Sequence, residues 1–125
     1  MPVTRLEESP AFERGGFTFR PLSTPSRGSS ELAVWRVAVA RGAASEWHSM
    51  DREEVFVVDD GQVEVTCGDQ LHALGPGDAL TVPRGTVLQL RSACDGVAHL
   101  IACTSVGMRA RLEGSDASFA PPWAE

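Results

Sequence analysis

The chain contains no lysine and no tyrosine, and each absence removes a class of chemistry. All eleven basic residues are arginine, so no lysine can form a Schiff base or hold a nucleotide phosphate in a Walker-type loop. Without tyrosine there is no phenol to act as an acid. Any catalysis must use His, Glu, Asp, Cys, Arg, backbone groups or a metal.

The chain also lacks clustered positive charge and long apolar runs. Its net charge is −6 and its arginines form no basic stripe, which argues against a nucleic-acid or anionic-membrane partner. No apolar stretch approaches the roughly 20 residues of a spanning helix. The first residues, MPVTRLEESP, show no apolar run of a secretion signal. We therefore expect a cytoplasmic protein without a membrane or nucleic-acid partner.

Length and cysteine content indicate a single domain without disulfide bonds. A chain of 125 residues can bury one core and no second cofactor domain. We interpret it as a single domain, 1–125, with an N-terminal arm at 1–30, a barrel core at 31–104 and a tail at 105–125. Cys67, Cys94 and Cys103 are an odd number without a C-x-x-C pair, and we expect idle thiols.

The residue pattern predicts an all-β fold. The segment ELAVWRVAVA at 31–40 is rich in strand-forming residues, and further short strands follow at intervals of about ten residues. Turn residues separate them, and no long helical period occurs. The pattern favours an antiparallel sandwich or jelly-roll barrel. Asp59-Asp60-Gly61 predicts a hairpin turn between two of the strands.

The two ends of the chain carry weaker signals. Phe17 and Phe19 alternate before a turn-rich segment, so the arm is predicted to hold one edge strand and a loop. The tail is predicted to be irregular, since Pro121 and Pro122 oppose a helix or a central strand. Trp123 is large enough to anchor it against apolar surface.

The strand at 55–58 predicts a covered outer face. Val55 and Val57 make its second face apolar, and a strand that is apolar on both faces is normally covered on both. Either the N-terminal arm or a second subunit could provide the cover. We therefore expect a homodimer.

The stretch from 42 to 61, GAASEWHSMDREEVFVVDDG, resembles the first motif of the cupins. That motif is a glycine, five residues, His-x-His, three or four residues, glutamate, six residues and a glycine. Gly42, His48, Glu54 and Gly61 fall on this spacing. Met50 occupies the position of the second histidine.

The second cupin motif is also present in part. Gly77, Pro83 and Gly85 match its glycine and Pro-x-Gly frame, whereas Leu88 and Ser92 occupy its histidine and asparagine positions. The similarity covers about residues 31–104. It implies the cupin jelly-roll barrel, also called a double-stranded β-helix, with the motif residues pointing inward.

The resemblance implies a metal site that this chain has partly lost. Cupins usually hold Fe, Mn, Ni, Cu or Zn through three histidines and one glutamate, and only His48 and Glu54 keep ligand chemistry here. Two donors hold a divalent ion weakly, so we expect no tightly bound metal, although a weak one stays open. Other side chains could complete the set, including Met50 in a soft copper site. The remaining candidates are His72, His99, Cys94 and Cys103.

His48 and Glu54 form the candidate catalytic pair. An apolar lumen should raise the pKa of Glu54, partly opposed by a charged His48, and such a pair can move protons near neutral pH. Alternatively the two are a remnant, hydrogen-bonded to each other. The side chains expected to line the lumen around the pair are Met50, Phe56, Leu88 and Leu90.

Two further residues are candidate ligand contacts. Trp47 adjoins His48 and could stack on a ring, or it could belong to the core. Arg36 could bind a carboxylate or phosphate, or it could point outward.

Three functions remain compatible with the sequence. The first is a cupin that binds a small, largely apolar metabolite and catalyses isomerisation, cyclisation or dehydration through His48 and Glu54. The second is a non-catalytic ligand-binding or sensory cupin. The third is a metal-dependent oxygenase with a reduced ligand set. Whether the protein is an enzyme stays open at this point.

Overall fold

The computed structural model describes all 125 residues and confirms the all-β prediction. Helix is confined to three single turns of 3-10 type, at Leu6–Glu8, Pro25–Arg27 and Pro122–Ala124. None of its helices has the length and apolar composition needed to cross a membrane. The strands are β1 (Phe12–Arg14), β2 (Phe17–Ser23), β3 (Leu32–Val39), β4 (His48–Met50), β5 (Glu54–Asp60), β6 (Val63–Cys67), β7 (Gln70–Leu74), β8 (Ala79–Val82), β9 (Leu88–Ser92), β10 (Ala98–Ser105), β11 (Ala110–Leu112) and β12 (Ser118–Phe119).

The strands form two antiparallel sheets of six strands each. The order is β1-β2-β3-β10-β5-β8 in the first sheet and β12-β11-β4-β9-β6-β7 in the second. Every second residue of the central strands β3 and β10 is buried, as the period of two in a pleated strand requires. The inward side chains of the two sheets form one apolar core between them.

The turn at Gly61 does not close the hairpin that the sequence predicts. Strand β5 belongs to the first sheet and β6 to the second, so the chain crosses between sheets at this point. Gly61 adopts φ +78°, and a Cβ here would lie 2.8 Å from the Cα of Ala98. The turn residues indicated a change of direction correctly, but they carry no information on which strands pair.

The N-terminal arm is part of the barrel wall. It contains two strands, not the single edge strand expected from the sequence, and β2 pairs with β3 from Phe17 to Ser23. Phe17 is buried in the core. The edge position belongs to β1, which pairs only with β2.

The C-terminal tail is more regular than the sequence predicts. Strand β11 pairs with β4 and β12 pairs with β11, so the tail extends the second sheet. The expected anchor is present, because the Trp123 ring stacks on Phe19 with the ring centroids 3.8 Å apart. The tail and the arm therefore contact each other at one end of the barrel.

The outer face of the first sheet stays uncovered within one chain. Val57 is 38% exposed on that face, and Val55 is half-buried. In register beside them on β10 lie Ile101 and Cys103. The arm extends the sheet edge and therefore does not cover this patch. We propose that a second subunit covers this face in a homodimer.

A charge on this face should weaken association. We expect Val57→Arg to raise the dimer dissociation constant by at least about tenfold, because a desolvated arginine would face apolar side chains. Leu71→Arg is the matched control, since Leu71 is 49% exposed on β7 of the other sheet. Sedimentation velocity over a concentration series measures both. A parent that is monomeric at tens of micromolar would contradict the proposal.

Candidate functional site

A cavity of about 130 Å³ lies between the sheets at the end closed by the arm and the tail. Two thirds of its lining residues are hydrophobic. Six of the chain's eight aromatic rings take part, and apolar cavities of roughly 150 Å³ hold benzene. The cavity therefore suits one aromatic ring. The aromatic lining residues are Phe17, Phe19, Trp35, Phe56, Phe119 and Trp123.

Glu54 is the buried acidic group of this cavity. It begins β5 and lies in register between Thr104 of β10 and Val82 of β8, with 3% of its surface exposed. Its Oε1 atom has no hydrogen-bond partner. Burial raises the pKa of Glu54 to about 8, so the carboxyl is neutral at neutral pH and can donate a hydrogen bond.

His48 faces the same cavity from the other sheet. It begins β4, and its Nδ1 lies 2.7 Å from the carbonyl oxygen of Glu46. A carbonyl oxygen only accepts, so Nδ1 carries the proton and Nε2 of the neutral ring is left as the base. Burial lowers the pKa of His48, which favours this neutral form.

The two candidate catalytic residues share the cavity without a direct bond. The remnant interpretation assumed a hydrogen bond between His48 and Glu54, but Oε1 of Glu54 is unpartnered and His48 bonds to Glu46. Desolvation alone raises the Glu54 pKa. The structure thus brings together a neutral acid and a neutral base that remain available to a ligand.

The four apolar side chains expected around the pair all line the cavity. Met50, Leu90 and Leu88 are buried, Leu88 completely, and Phe56 contributes a ring. The sequence could identify these four residues because inward positions recur at every second residue along each strand.

Trp47 and Arg36 lie outside the cavity, so neither is in the place considered for a ligand contact. Trp47 immediately precedes β4, and 37% of its surface is exposed. Arg36 is on the outer face of β3, where it pairs with Asp59 at 3.1 Å. Its neighbour Trp35 has the inward parity and lines the cavity instead.

Sequence reasoning missed the rim of the cavity. Arg14 of β1 and Glu46 of the loop before β4 both line it, with Arg14 Nε and Glu46 Oε1 2.6 Å apart. The Arg14 guanidinium lies 5.7 Å from the centre of the Phe119 ring. No local signal could identify this cluster, because its three residues come from the arm, the barrel and the tail.

The side chains present do not fit a cupin metal centre. No three His, Cys, Asp or Glu residues come together as a metal site. Leu88, at the position of a family histidine, is fully buried hydrocarbon. The four residues considered as substitutes, His72, His99, Cys94 and Cys103, do not line the cavity.

The comparison with protein families agrees with this architecture. A family model described as a cupin domain matches residues 35–104, more than half of the chain. The chain belongs to the cupin family. No curated protein matches it.

Solved structures of other proteins share the fold of this cupin. The polyketide cyclase RemF from Streptomyces resistomycificus superposes with a TM-score of 0.80 at 18% identity, covering 98% of this chain and 88% of that one. KdgF from Halomonas sp. superposes with a TM-score of 0.69 at 22% identity, covering 79% of this chain and 89% of that one. A sugar phosphate isomerase of the cupin superfamily from Silicibacter pomeroyi superposes with a TM-score of 0.67 at 21% identity, covering 80% of this chain and 68% of that one. At these identities the likeness shows the fold alone.

The pKa of Glu54 predicts a specific dependence of stability on pH. The folded chain keeps this proton up to about pH 8, whereas the ordinary value is 4.5. Between these pH values the native state holds more protons than the unfolded state. The free energy of unfolding should therefore fall as pH rises, by up to about 1.4 kcal/mol per pH unit from this group.

Glu54→Gln should remove that contribution. The difference in unfolding free energy between Glu54→Gln and the parent should grow from pH 5.5 to pH 8, measured by urea denaturation. Taking the difference cancels the contribution of His48 to the free energy of unfolding. The lowered pKa of His48 makes stability rise with pH below 6.5. Glu7→Gln, at an exposed site, should show no such trend. A constant difference for Glu54→Gln would contradict a neutral buried carboxyl.

With only His48 and Glu54 kept from the cupin set of metal-binding side chains, divalent metals are predicted not to change the thermal stability of the protein. We expect EDTA, or added zinc after EDTA, to shift the melting temperature by less than about 1 °C, because a ligand stabilises the fold only where it binds. His99→Ala is the control for surface histidine, since His99 lies 3.7 Å from Asp60 on the outer face. About one ion per chain, lost in His48→Ala and kept in His99→Ala, would contradict the prediction.

Proposed function

We propose that this cupin binds a small aromatic carbonyl compound in its barrel and moves a proton on it, as in a cyclisation, dehydration or isomerisation. One observation carries the proposal. The unpartnered, buried carboxyl of Glu54 faces a cavity walled by aromatic rings. A buried polar group without a partner is costly, and a ligand carbonyl would supply the missing acceptor.

The chemistry uses the two neutral groups in complementary roles. Glu54 donates its proton to the carbonyl oxygen, while Nε2 of His48 accepts a proton from the adjacent carbon. The ligand becomes an enol, His48 becomes cationic and Glu54 becomes anionic. The enol carbon can then attack a second carbonyl, whose oxygen takes the proton from His48 while the enol O–H proton returns to Glu54. Alternatively, a hydroxyl on the neighbouring carbon leaves as water with the His48 proton, or His48 protonates the enol at a different carbon, and Glu54 regains its proton in the same way. No oxidant or reductant is required.

One structural neighbour, the polyketide cyclase, supports cyclisation among these outcomes. The polyketide cyclase aligns with nearly the whole chain, including the arm and the tail that wall this cavity. The other two neighbours cover about four fifths of the chain. The likeness to a cyclase therefore extends to the segments that shape the aromatic site.

A non-catalytic binding cupin is the second candidate. The aromatic walls and the Glu54 donor would recognise an aromatic carbonyl ligand equally well without turnover. The metal-dependent oxygenase has the least support, because the donors that remain do not converge on a site.

Deuterium exchange into an aromatic ketone separates the two candidates. We expect the parent to accelerate exchange at the benzylic carbon of phenylacetone in heavy water, followed by proton NMR. Glu54→Gln and His48→Gln should each lower the rate by about 10²-fold or more, since each removes one proton-transfer group. Glu7→Gln should exchange at the parent rate.

The outcomes are distinct. Binding of phenylacetone without accelerated exchange by the parent would contradict the catalytic proposal and support the binding cupin. Exchange that persists unchanged in both site variants would place the chemistry elsewhere.

A further inference from the structure

The rim of the cavity carries one strong cation. Arg14 ends β1 at a tight turn through Gly15 and Gly16, which adopt φ +57° and +85°. With His48 neutral, Arg14 is the only cationic side chain on the lining. In a chain of net charge −6, it marks the one place where this cavity can attract an anion.

The Arg14 guanidinium keeps most of its hydrogen-bonding capacity. Of its five N–H groups only Nε donates to the protein, to Glu46 at 2.6 Å. A guanidinium can instead engage a carboxylate through two parallel bonds. Both side chains of the pair are about half exposed, at 50% and 49%, and ion pairs in such solvent contact are weak and exchangeable.

We propose that Arg14 binds a carboxylate on the aromatic ligand, which takes the place of the Glu46 side chain. This inference rests on the proposed binding of an aromatic compound in the barrel. The aromatic walls hold the ring, and Phe119 lies beneath the guanidinium. The ligand would thus be an aromatic acid with its carboxylate at the wet rim, and any second hydrogen-bond acceptor that it carries would lie at Glu54.

The two ends of the cavity would orient such a ligand. The dry end, at Glu54, gives a carboxylate no cation to pair with, so a buried negative charge there would be costly. The rim offers both a cation and solvent. A ligand that is apolar in the middle and acidic at one end therefore fits in only one direction.

Glu46 can release Arg14 without disturbing His48. Its main-chain carbonyl accepts from His48, while the preceding residue, Ser45, is held to β9 by its N–H, 2.8 Å from the Leu90 carbonyl oxygen. Gln89 donates to the Ser45 carbonyl at 3.2 Å as well. The side chain of Glu46 can therefore move while its backbone stays in place.

Cinnamate and its neutral amide, cinnamamide, test the inference by isothermal titration calorimetry on the full chain. We expect the parent to bind cinnamate at least about tenfold more tightly than cinnamamide, since only cinnamate can pair with Arg14. Arg14→Gln should abolish the preference and leave cinnamamide affinity within about twofold. Glu46→Gln should tighten cinnamate binding, because it removes the competitor. Arg36→Gln is the control, as Arg36 lies outside the cavity.

The possible failures point to different proposals. Equal binding of both probes by the parent, or a cinnamate preference that survives Arg14→Gln, would overturn the role of Arg14 and leave the aromatic site standing. Arg14→Lys keeps the charge and should retain part of the preference if Arg14→Gln misfolds; loss of all preference in a folded lysine variant would count against the charge interaction. If neither probe binds and phenylacetone does not exchange, the aromatic site fails and this inference falls with it.

Discussion

The pleat of two facing sheets is the constraint on which the site depends. Because side chains alternate along each strand, every inward position is withdrawn from water, whatever residue occupies it. Most inward positions are apolar, and the ionisable residues that line the cavity below its Arg14–Glu46 rim are Glu54 and His48. Withdrawal from water disfavours the charged form of both. A single physical cause therefore leaves the carboxyl protonated and the imidazole uncharged.

The separation of the acid and the base follows from the topology. Glu54 begins a strand of the first sheet and His48 a strand of the second, so they approach the cavity from opposite sides. Had they been neighbours on one sheet, proton transfer between them would have produced an ion pair that satisfies both. Across an aromatic cavity each stays unsatisfied by the other. The proposed function uses this separation, because its ligand accepts a proton at one atom and gives one up at another.

Local patterns in the sequence predicted the barrel and its inner wall well. Met50, Phe56, Leu88 and Leu90 line the cavity as expected, because strand parity and the cupin glycine frames are short-range signals. The predicted hairpin at Gly61 was wrong, because a turn motif does not specify which strands pair.

The arm and the tail could not be placed by the same reasoning. The tail reaches the cavity because β11 pairs with the distant β4, and it meets the arm where Trp123 stacks on Phe19. Such long-range partners are not encoded in local composition. Arg36 and Trp47, considered as ligand contacts, lie outside the cavity for a simpler reason. Strand parity sends Trp35 and His48 inward, so the adjacent residues face out.

The stack of Phe19 on Trp123 has a consequence for how the molecule forms. The two rings are about a hundred residues apart in the chain, so their contact closes one of the longest loops available to it. Closing a long loop loses chain entropy before any packing is gained, and contacts of this range slow folding. The barrel strands can pair earlier than these ends meet. Ligand binding competence should consequently be acquired late in folding, after the sheets themselves are largely in place.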